Sequence, residues 1–581
     1  MKKILFVNPV NYKSGYYANI LGRVPYLGPI QLVRLTPEDI ETEIVDEVAR
    51  EFNPEATDEK PELAAVSVNF TSSATRGYQI ADALRKQGIK VIIGGNHATY
   101  CAEEAKRHAD SVVMGEADEI WETVLEDARK NNLQPLYKAP RLPDLSSLQF
   151  KRKRNPTLDF PPIDTEYIVS RLWGDSEGDA SKEMIKTFMR KDEDRDSLWA
   201  SIKTTPNLIL RKLVEGDFDG LLGIPVLGSI FRAMLQFGVR KAFLPFLLKN
   251  LDLYFKMFDQ PLGGYPIRKV LQVGRGCPVD CEFCSVTAFN GKRYRHYRMD
   301  QLLADIEELA GSGKGFDRFI FFADDNIVAD PRFAKEFFRE IKPLKLHWYS
   351  QATIQMARDP ELLNLAADSG CVAIFYGLET LKQDTLKAVD KGFKASDYVE
   401  VIKRTHDAGI GIFPAAFVFG LPGDTPEDIE RTAEFCIEQG IEFPQFTILT
   451  PLPGTRLWKR LYGDRLPKES AWEHFTYQEV VDPGIFQSTI DPNKLVEYWV
   501  GAFKRVCSEE GTRRRMGKVH YRTAFAHVMA AAAALFYKAV FHDTDYWKRL
   551  VTPEPAVNVF SPDFGNDHSD TLVVQEQLRP S

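Results

Sequence analysis

The chain has 581 residues, 44% hydrophobic and 27% charged, which excludes a disordered, collagen-like or disulfide-dense polypeptide. Carboxylates number 82 against 74 lysines and arginines, a net charge of −8, so there is no global field for nucleic acid and none is expected as a partner. Seven cysteines are odd in number and sparse, which fits a reducing, cytoplasmic setting better than a disulfide framework.

In chain order, Met1-Lys2-Lys3-Ile4-Leu5-Phe6-Val7 reads as a first strand and not as an export segment, because its apolar run is too short. Further β-branched runs predict strands at residues 42–45, 63–68, 89–93 and 111–114, with a helix over 78–87 that aligns Tyr78, Ala81 and Leu84. This alternation predicts a doubly wound parallel sheet, in which ligands sit at the carboxyl ends of strands. The loops at those ends are Asn69-Phe70-Thr71-Ser72-Ser73, Gly94-Gly95-Asn96-His97 and Gly115-Glu116-Ala117-Asp118. Their small residues let a large ligand approach the backbone. No G-x-G-x-x-G follows a strand, so a dinucleotide is disfavoured, and a Rossmann-like domain without ligand stays open. His97 reads as a polar surface residue rather than an axial ligand.

Residues 141–262 match no repeating pattern. Within them, segments 225–239 and 241–258 predict helices that interleave Phe231, Phe237, Phe243, Phe246, Phe255 and Phe258 with Arg232, Arg240, Lys241, Lys249 and Lys256. Two readings stand side by side: helices packed on a neighbouring domain with a solvated basic face, or an interfacial segment resting in a bilayer surface. The longest uncharged stretches, 408–423 and 523–537, fall short of the ~20 residues that a spanning helix needs.

The sharpest signal is Gly274-Arg275-Gly276-Cys277-Pro278-Val279-Asp280-Cys281-Glu282-Phe283-Cys284. Three cysteines at C-x₃-C-x₂-C spacing follow an apolar strand at 270–273. Three thiolates on one loop hold three irons of a [4Fe–4S] cube and leave the fourth iron open to a chelating ligand. A closed zinc site needs a fourth protein ligand, and Cys101, Cys371, Cys436 and Cys507 are solitary. Downstream, strands are predicted at 319–322, 348–351, 372–376, 412–419 and 446–449, separated by amphipathic helices such as 299–310 and 395–408. Polar and small residues gather at their carboxyl ends, where barrel chemistry sits.

The triple-cysteine loop, with Phe283 before its third cysteine, resembles the radical S-adenosylmethionine (radical SAM) superfamily. The resemblance implies a partial (β/α)6 barrel and SAM chelated by the open iron. Electron transfer then cleaves SAM to a 5′-deoxyadenosyl radical that abstracts hydrogen from substrate. It further implies SAM contacts at Phe283, Asp324, Gln351 and Glu379, with Cys277, Cys281 and Cys284 as cluster ligands. A parallel-sheet domain upstream of such a barrel resembles the class with an N-terminal cobalamin-binding domain. That resemblance implies cobalamin over the barrel mouth, held by Asn69, Thr71, Ser72, Gly94, Gly95, Gly115 and Glu116. The chain lacks D-x-H-x-x-G, so a protein histidine ligand to cobalt is not expected.

The expected fold is therefore α/β: a Rossmann-like cobalamin-binding domain (1–140), a linker and helical insertion (141–262), a partial (β/α)6 radical SAM barrel (263–465), and a helical C-terminal region with a disordered tail (466–581). Arg513-Arg514-Arg515 and Lys518 at one end of the apolar run, and Lys548-Arg549 at the other, bracket it and open the same choice between core helix and lipid contact. The expected activity is C-methylation of an unactivated carbon in a hydrophobic or lipid-like substrate. A flavodoxin or ferredoxin would serve as reductant, and peripheral membrane contact is left open. Radical cyclisation or carbon–carbon coupling is the alternative within the superfamily. A non-catalytic sensor whose cysteines hold zinc is the alternative outside it.

Overall fold

The computed structural model describes residues 1–11, 25–50, 52–56, 60–152, 155, 269–311, 318–485, 490–516 and 558–561. The aromatic–basic insertion at 225–258, the apolar run at 523–537 and all but the first residue of the tail expected to be disordered, 561–581, lie outside them.

The first sheet has six strands: β1 (Lys3–Asn8), β2 (Glu41–Asp46), β3 (Leu63–Ser67), β4 (Lys90–Gly94), β5 (Ser111–Met114) and β6 (Leu136–Lys138). Every pairing is parallel, in the order β2-β1-β3-β4-β5-β6. Alternation along β1 explains why its sequence is continuously apolar. Ile4 and Phe6 enter one core, with Trp121 and Val124, while Leu5 and Val7 enter the other, with Ala81 and Leu84. A strand buried on both faces has no polar side to show.

The second sheet is also wholly parallel. It contains β7 (Val270–Leu271), β10 (Phe319–Phe322), β11 (His347–Ala352), β12 (Cys371–Glu379), β13 (Gly411–Phe419) and β14 (Pro444–Ile448), each beside its sequence neighbour. This is an open, six-stranded (β/α) arrangement. A small antiparallel ribbon, β8 (Gly274–Arg275) with β9 (Arg295–His296), lies between β7 and β10 in sequence. Helix Pro331–Ile341 shows how the sequence builds the outer layer. Asp330 caps it by accepting from the N–H groups of Arg332 and Phe333, Pro331 opens it, and Phe333, Phe337, Phe338 and Ile341 face the core.

The chain after the barrel returns to the first sheet. Trp458, Tyr462, Trp472 and Phe475 join the same core as Leu5 and Val7, so a division at residue 465 separates side chains that pack together. Helix Pro492–Cys507 covers the barrel edge, where the Trp499 indole N–H donates to the Phe446 carbonyl (2.9 Å). The arginine run meets protein: Arg515 is buried and donates to the carbonyls of Ile441, Glu442 and Val506, and Arg514 pairs with Glu434 at 2.6 Å. Those two arginines are therefore not a lipid-facing flank. Among the described residues no helix is long and apolar enough to cross a membrane.

Candidate cofactor site between the two sheets

The cysteine loop leaves the carboxyl end of β7 and is held by backbone bonds on several sides. Cys277 N–H donates to the Gly291 carbonyl, Cys284 N–H to Cys281, Glu282 N–H to Val389, and Leu457 N–H to Glu282 (3.0–3.2 Å). Gly276 lies at φ +97°, and a Cβ there would stand 2.5 Å from the Arg293 carbonyl oxygen, so only glycine fits. Burial pushes the Cys281 thiol up to about 11 and the Cys284 thiol to about 12, and raises Cys277 as well. Cys281 feels Cys277, Cys284 feels Cys281, and the Lys391 ammonium pulls all three down, so the thiols share one electrostatic neighbourhood. Such thiols ionise on coordinating iron. Among the described residues no three His, Cys, Asp or Glu side chains gather around a single-ion position. A cube takes each thiolate on a separate iron, so it fits this loop better than one zinc does.

The polar residues at the barrel's strand ends divide into different tasks. Phe283 packs with Leu421, Leu449, Leu457 and Val389 at the ends of β13 and β14 and beside the cysteine loop. Gln351 is half-buried near the end of β11. Glu379 ends β12 at φ +66°, an unusual conformation for a carboxylate residue, and accepts from the Lys391 ammonium at 2.6 Å. Burial alone would lower the Lys391 ammonium, but the Glu379 charge outweighs it and holds it raised.

Asp324 departs from the expectation of a SAM contact. Its carboxylate is fully buried and accepts from Val273 N–H (2.9 Å), Gly274 N–H (2.7 Å) and the Tyr294 hydroxyl (2.8 Å). It fastens the strand that enters the cysteine loop and has no face left for a ligand. Next to it, Asp325 accepts from the Asn290 amide at 3.0 Å, and Asn326 points its amide at the Cys277 sulfur.

The first sheet presents its loops at the carboxyl edge of β3, β4 and β5. Asn69 donates to the Ser67 hydroxyl (2.9 Å), and Thr71 and Ser72 form a buried 3₁₀ turn. Gly95 lies at φ +108° with the Val68 carbonyl oxygen 2.6 Å from any Cβ, so it is a packing position. Among the described residues, Gly94 meets only ordinary contacts, and around Gly115, at φ +78°, nothing lies within 4 Å of a Cβ. Those two leave the shelf that a large cofactor can approach. His97 is buried, correcting the surface reading: its ring stands edge-on to Trp472, and Nδ1 lies 3.4 Å from the Thr71 hydroxyl.

The two carboxyl edges meet. Arg275, one position before Gly276, reaches Glu116 (2.6 Å) and both oxygens of Asp118 (2.8 and 3.0 Å), and Arg295 reaches Glu116 at 2.5 Å. Glu116 was expected to contact cobalamin, but its carboxylate is buried and already holds two guanidinium groups. Farther along the same edge, Gly454 after β14 sits against the Tyr100 ring.

The B12 binding domain family matches residues 33–125, and the Radical SAM superfamily matches residues 271–436. The chain thus joins a B12-binding domain to a radical SAM domain, the arrangement of the radical SAM class with an N-terminal cobalamin-binding domain. Bacteriochlorophyllide d C-8(2)-methyltransferase of Chlorobaculum tepidum is 26% identical over 78% of this chain and 81% of that one. Hopanoid C-2 methylase of Rhodopseudomonas palustris is 26% identical over 45% of this chain and 47% of that one. The solved radical SAM methyltransferase TsrM of Kitasatospora setae shares the fold, with a TM-score of 0.51 and 14% identity over 95% of this chain and 98% of that one. This radical SAM enzyme uses a [4Fe–4S] cluster, SAM and cobalamin. Sequence reasoning missed Arg275, Arg295, Asn326 and Lys391. Arg275 stands in the cysteine motif, but its partners lie 157 and 159 residues away, where no local pattern points.

Proposed function

We propose that this radical SAM enzyme methylates an unactivated carbon of a hydrophobic, ring-containing small molecule held between the two sheet edges. In this reading Cys277, Cys281 and Cys284 carry the cluster, and Phe283, Gln351 and Glu379 border SAM. The shelf made by Gly94 and Gly115, with Asn69, Thr71 and Ser72 beside it, takes cobalamin in the domain of residues 1–140, above the barrel of 263–465. The bound groups supply a hydrogen-abstracting radical and a transferable methyl group, which suits carbon that is too weak a nucleophile for polar transfer.

The chain's own residues keep the reaction dry and aligned. Lys391 balances Glu379 and offers positive charge next to the thiol loop. Phe283, Leu421 and Leu449 form an apolar wall that excludes water. The observation that carries the proposal is the ionic bridge from Arg275 to Glu116 and Asp118, which brings the edge of the B12-type sheet onto the cysteine loop. Two cofactors acting on one carbon need that juxtaposition.

The substrate class rests on the relatives. One, matched over most of the chain, acts on a bacteriochlorophyllide, and another acts on a hopanoid, both hydrophobic ring systems. The aromatic–basic segment 225–258 supports delivery of such a substrate from a membrane surface. The test is anaerobic reconstitution with iron, sulfide, cobalamin and methyl-labelled SAM, supplied with a chemical reductant and with hopanoid and chlorin extracts. Label should enter a hydrophobic product, one methyl per turnover, as read by mass spectrometry. Consumption of SAM with an unmethylated, ring-closed product would favour cyclisation. Sedimentation with anionic vesicles at low salt, reversed at high salt, tests the membrane arm.

A further inference from the structure

We propose that Asn326 is a positioning residue of the iron–sulfur centre: its side-chain amide donates to the Cys277 sulfur and raises the reduction potential of the cluster. The inference rests on the reading of Cys277, Cys281 and Cys284 as cluster ligands.

Asn326 is 2% exposed and follows β10 at the end facing the cysteine loop. Its Nδ2 lies 3.8 Å from the Cys277 sulfur, within reach of a sulfur acceptor. An independent bond settles which way the amide faces, because Thr353 N–H donates to Oδ1 at 3.2 Å. A flipped amide would oppose its NH₂ to that N–H and turn its oxygen on the sulfur. The backbone holds the residue in place from both sides: Ile327 N–H donates to the Gln351 carbonyl and Ala329 N–H to the Asn326 carbonyl (both 2.9 Å). The neighbouring carboxyl groups are turned elsewhere: Asp324 is engaged by Val273, Gly274 and Tyr294, and Asp325 accepts from Asn290.

The sign follows from charge. Reduction adds an electron that spreads over the cluster and its thiolate sulfurs. A buried N–H aimed at one sulfur stabilises that extra charge, and hydrogen bonds to sulfur are among the determinants of cluster potential. The Lys391 charge acts on Cys277 in the same direction. Asn326 would therefore ease reduction of the cluster by a mild cellular donor.

The test is an EPR-monitored potentiometric titration of the reconstituted full-length protein. It compares wild type with N326L, similar in size but without a donor, and N326D, which keeps the acceptor for Thr353 but places a carboxylate oxygen at the sulfur. Iron and sulfide contents and the resonance Raman Fe–S(Cys) stretches are measured on the same samples. The potential should fall in the order wild type, N326L, N326D. For N326L the reduction equilibrium should shift about tenfold, 59 mV for a one-electron couple, with a raised Fe–S(Cys) stretch. An N326L protein with a full cluster and the wild-type potential overturns the proposal. If N326L assembles no cluster, N326D decides, and a potential at or above wild type overturns it. Wild-type protein that takes up no iron and sulfide would instead remove the cysteine reading itself.

Discussion

Two aspartates at barrel strand ends, Asp324 and Asp424, are pushed up to about 7, chiefly by burial. They differ in what an isosteric amide would do. Asp324 spreads three donors over both oxygens, so an asparagine there would oppose its NH₂ to an N–H or to the Tyr294 hydroxyl. In Asp424 two backbone donors, Gly420 and Leu421, meet the same oxygen at 3.0 Å, and an asparagine keeps both of those bonds. This makes D424N the better probe of pH dependence. The unfolded side chain ionises near 3.8, while the folded one holds its proton to about 7. The Asp424 contribution to stability is thus complete below about pH 4 and is lost as pH rises towards 7. The Tm of D424N relative to wild type should climb between pH 5 and 7 and level off above 8. Parallel profiles would refute the assignment. The cysteines sort in the same residue-by-residue way. Cys371, Cys436 and Cys507 are buried in the barrel core, and their Ala variants should keep the full iron content with at most a packing loss. The Ala variant of Cys277, Cys281 or Cys284 should lose reductive SAM cleavage, read as 5′-deoxyadenosine.

At the scale of elements, strands and helices were legible because their signals are local. The apolar runs at 4–7, 63–68, 111–114 and 319–322 each match a strand to within a residue or two, since burial on both faces leaves no polar alternation to confuse. The strand β6 was missed because three residues, two of them exposed, carry too little pattern. The strand-end loops were legible as a place but not as a division of labour. Gly95 and Gly115 looked alike in the sequence, yet one is pressed against the Val68 carbonyl and the other meets no described residue within 4 Å of a Cβ. Both have positive φ, so alanine brings backbone strain of about 1–3 kcal/mol at either. G95A adds a backbone collision and should lower the denaturant midpoint more than G115A. Cobalamin uptake, followed by corrinoid absorbance, should fall in G115A while its fold survives. Equal loss of stability in the two variants would mean that the Val68 contact relaxes freely.

Across the whole molecule, the two sheets are joined by charge as well as by apolar packing. Arg34 reaches both oxygens of Asp305 (2.8 and 2.7 Å), and Arg275 with Arg295 reaches Glu116 and Asp118. None of this was legible, because the partners come from different domains and their pairing depends on the finished fold. Burial makes the arrangement sensitive to imbalance. Removing one member of a buried pair leaves the others desolvated and unpaired, at a cost of about 3–5 kcal/mol. R275M strands Asp118, whose carboxyl is held below its usual range by Arg275 against the opposing effect of burial. R275M should therefore unfold at clearly lower denaturant than wild type. R275M combined with D118N should recover part of the loss, because the stranded charge is gone, with a coupling energy of roughly 0.5–3 kcal/mol. The double variant separates anchoring from folding. If the bridge sets the approach of the two sheet edges, the refolded double variant should bind cobalamin and iron in full while yielding less methylated product per SAM cleaved. An unchanged ratio of methylation to cleavage would reduce the bridge to a stabilising contact and leave alignment of the edges to the Gly454–Tyr100 packing.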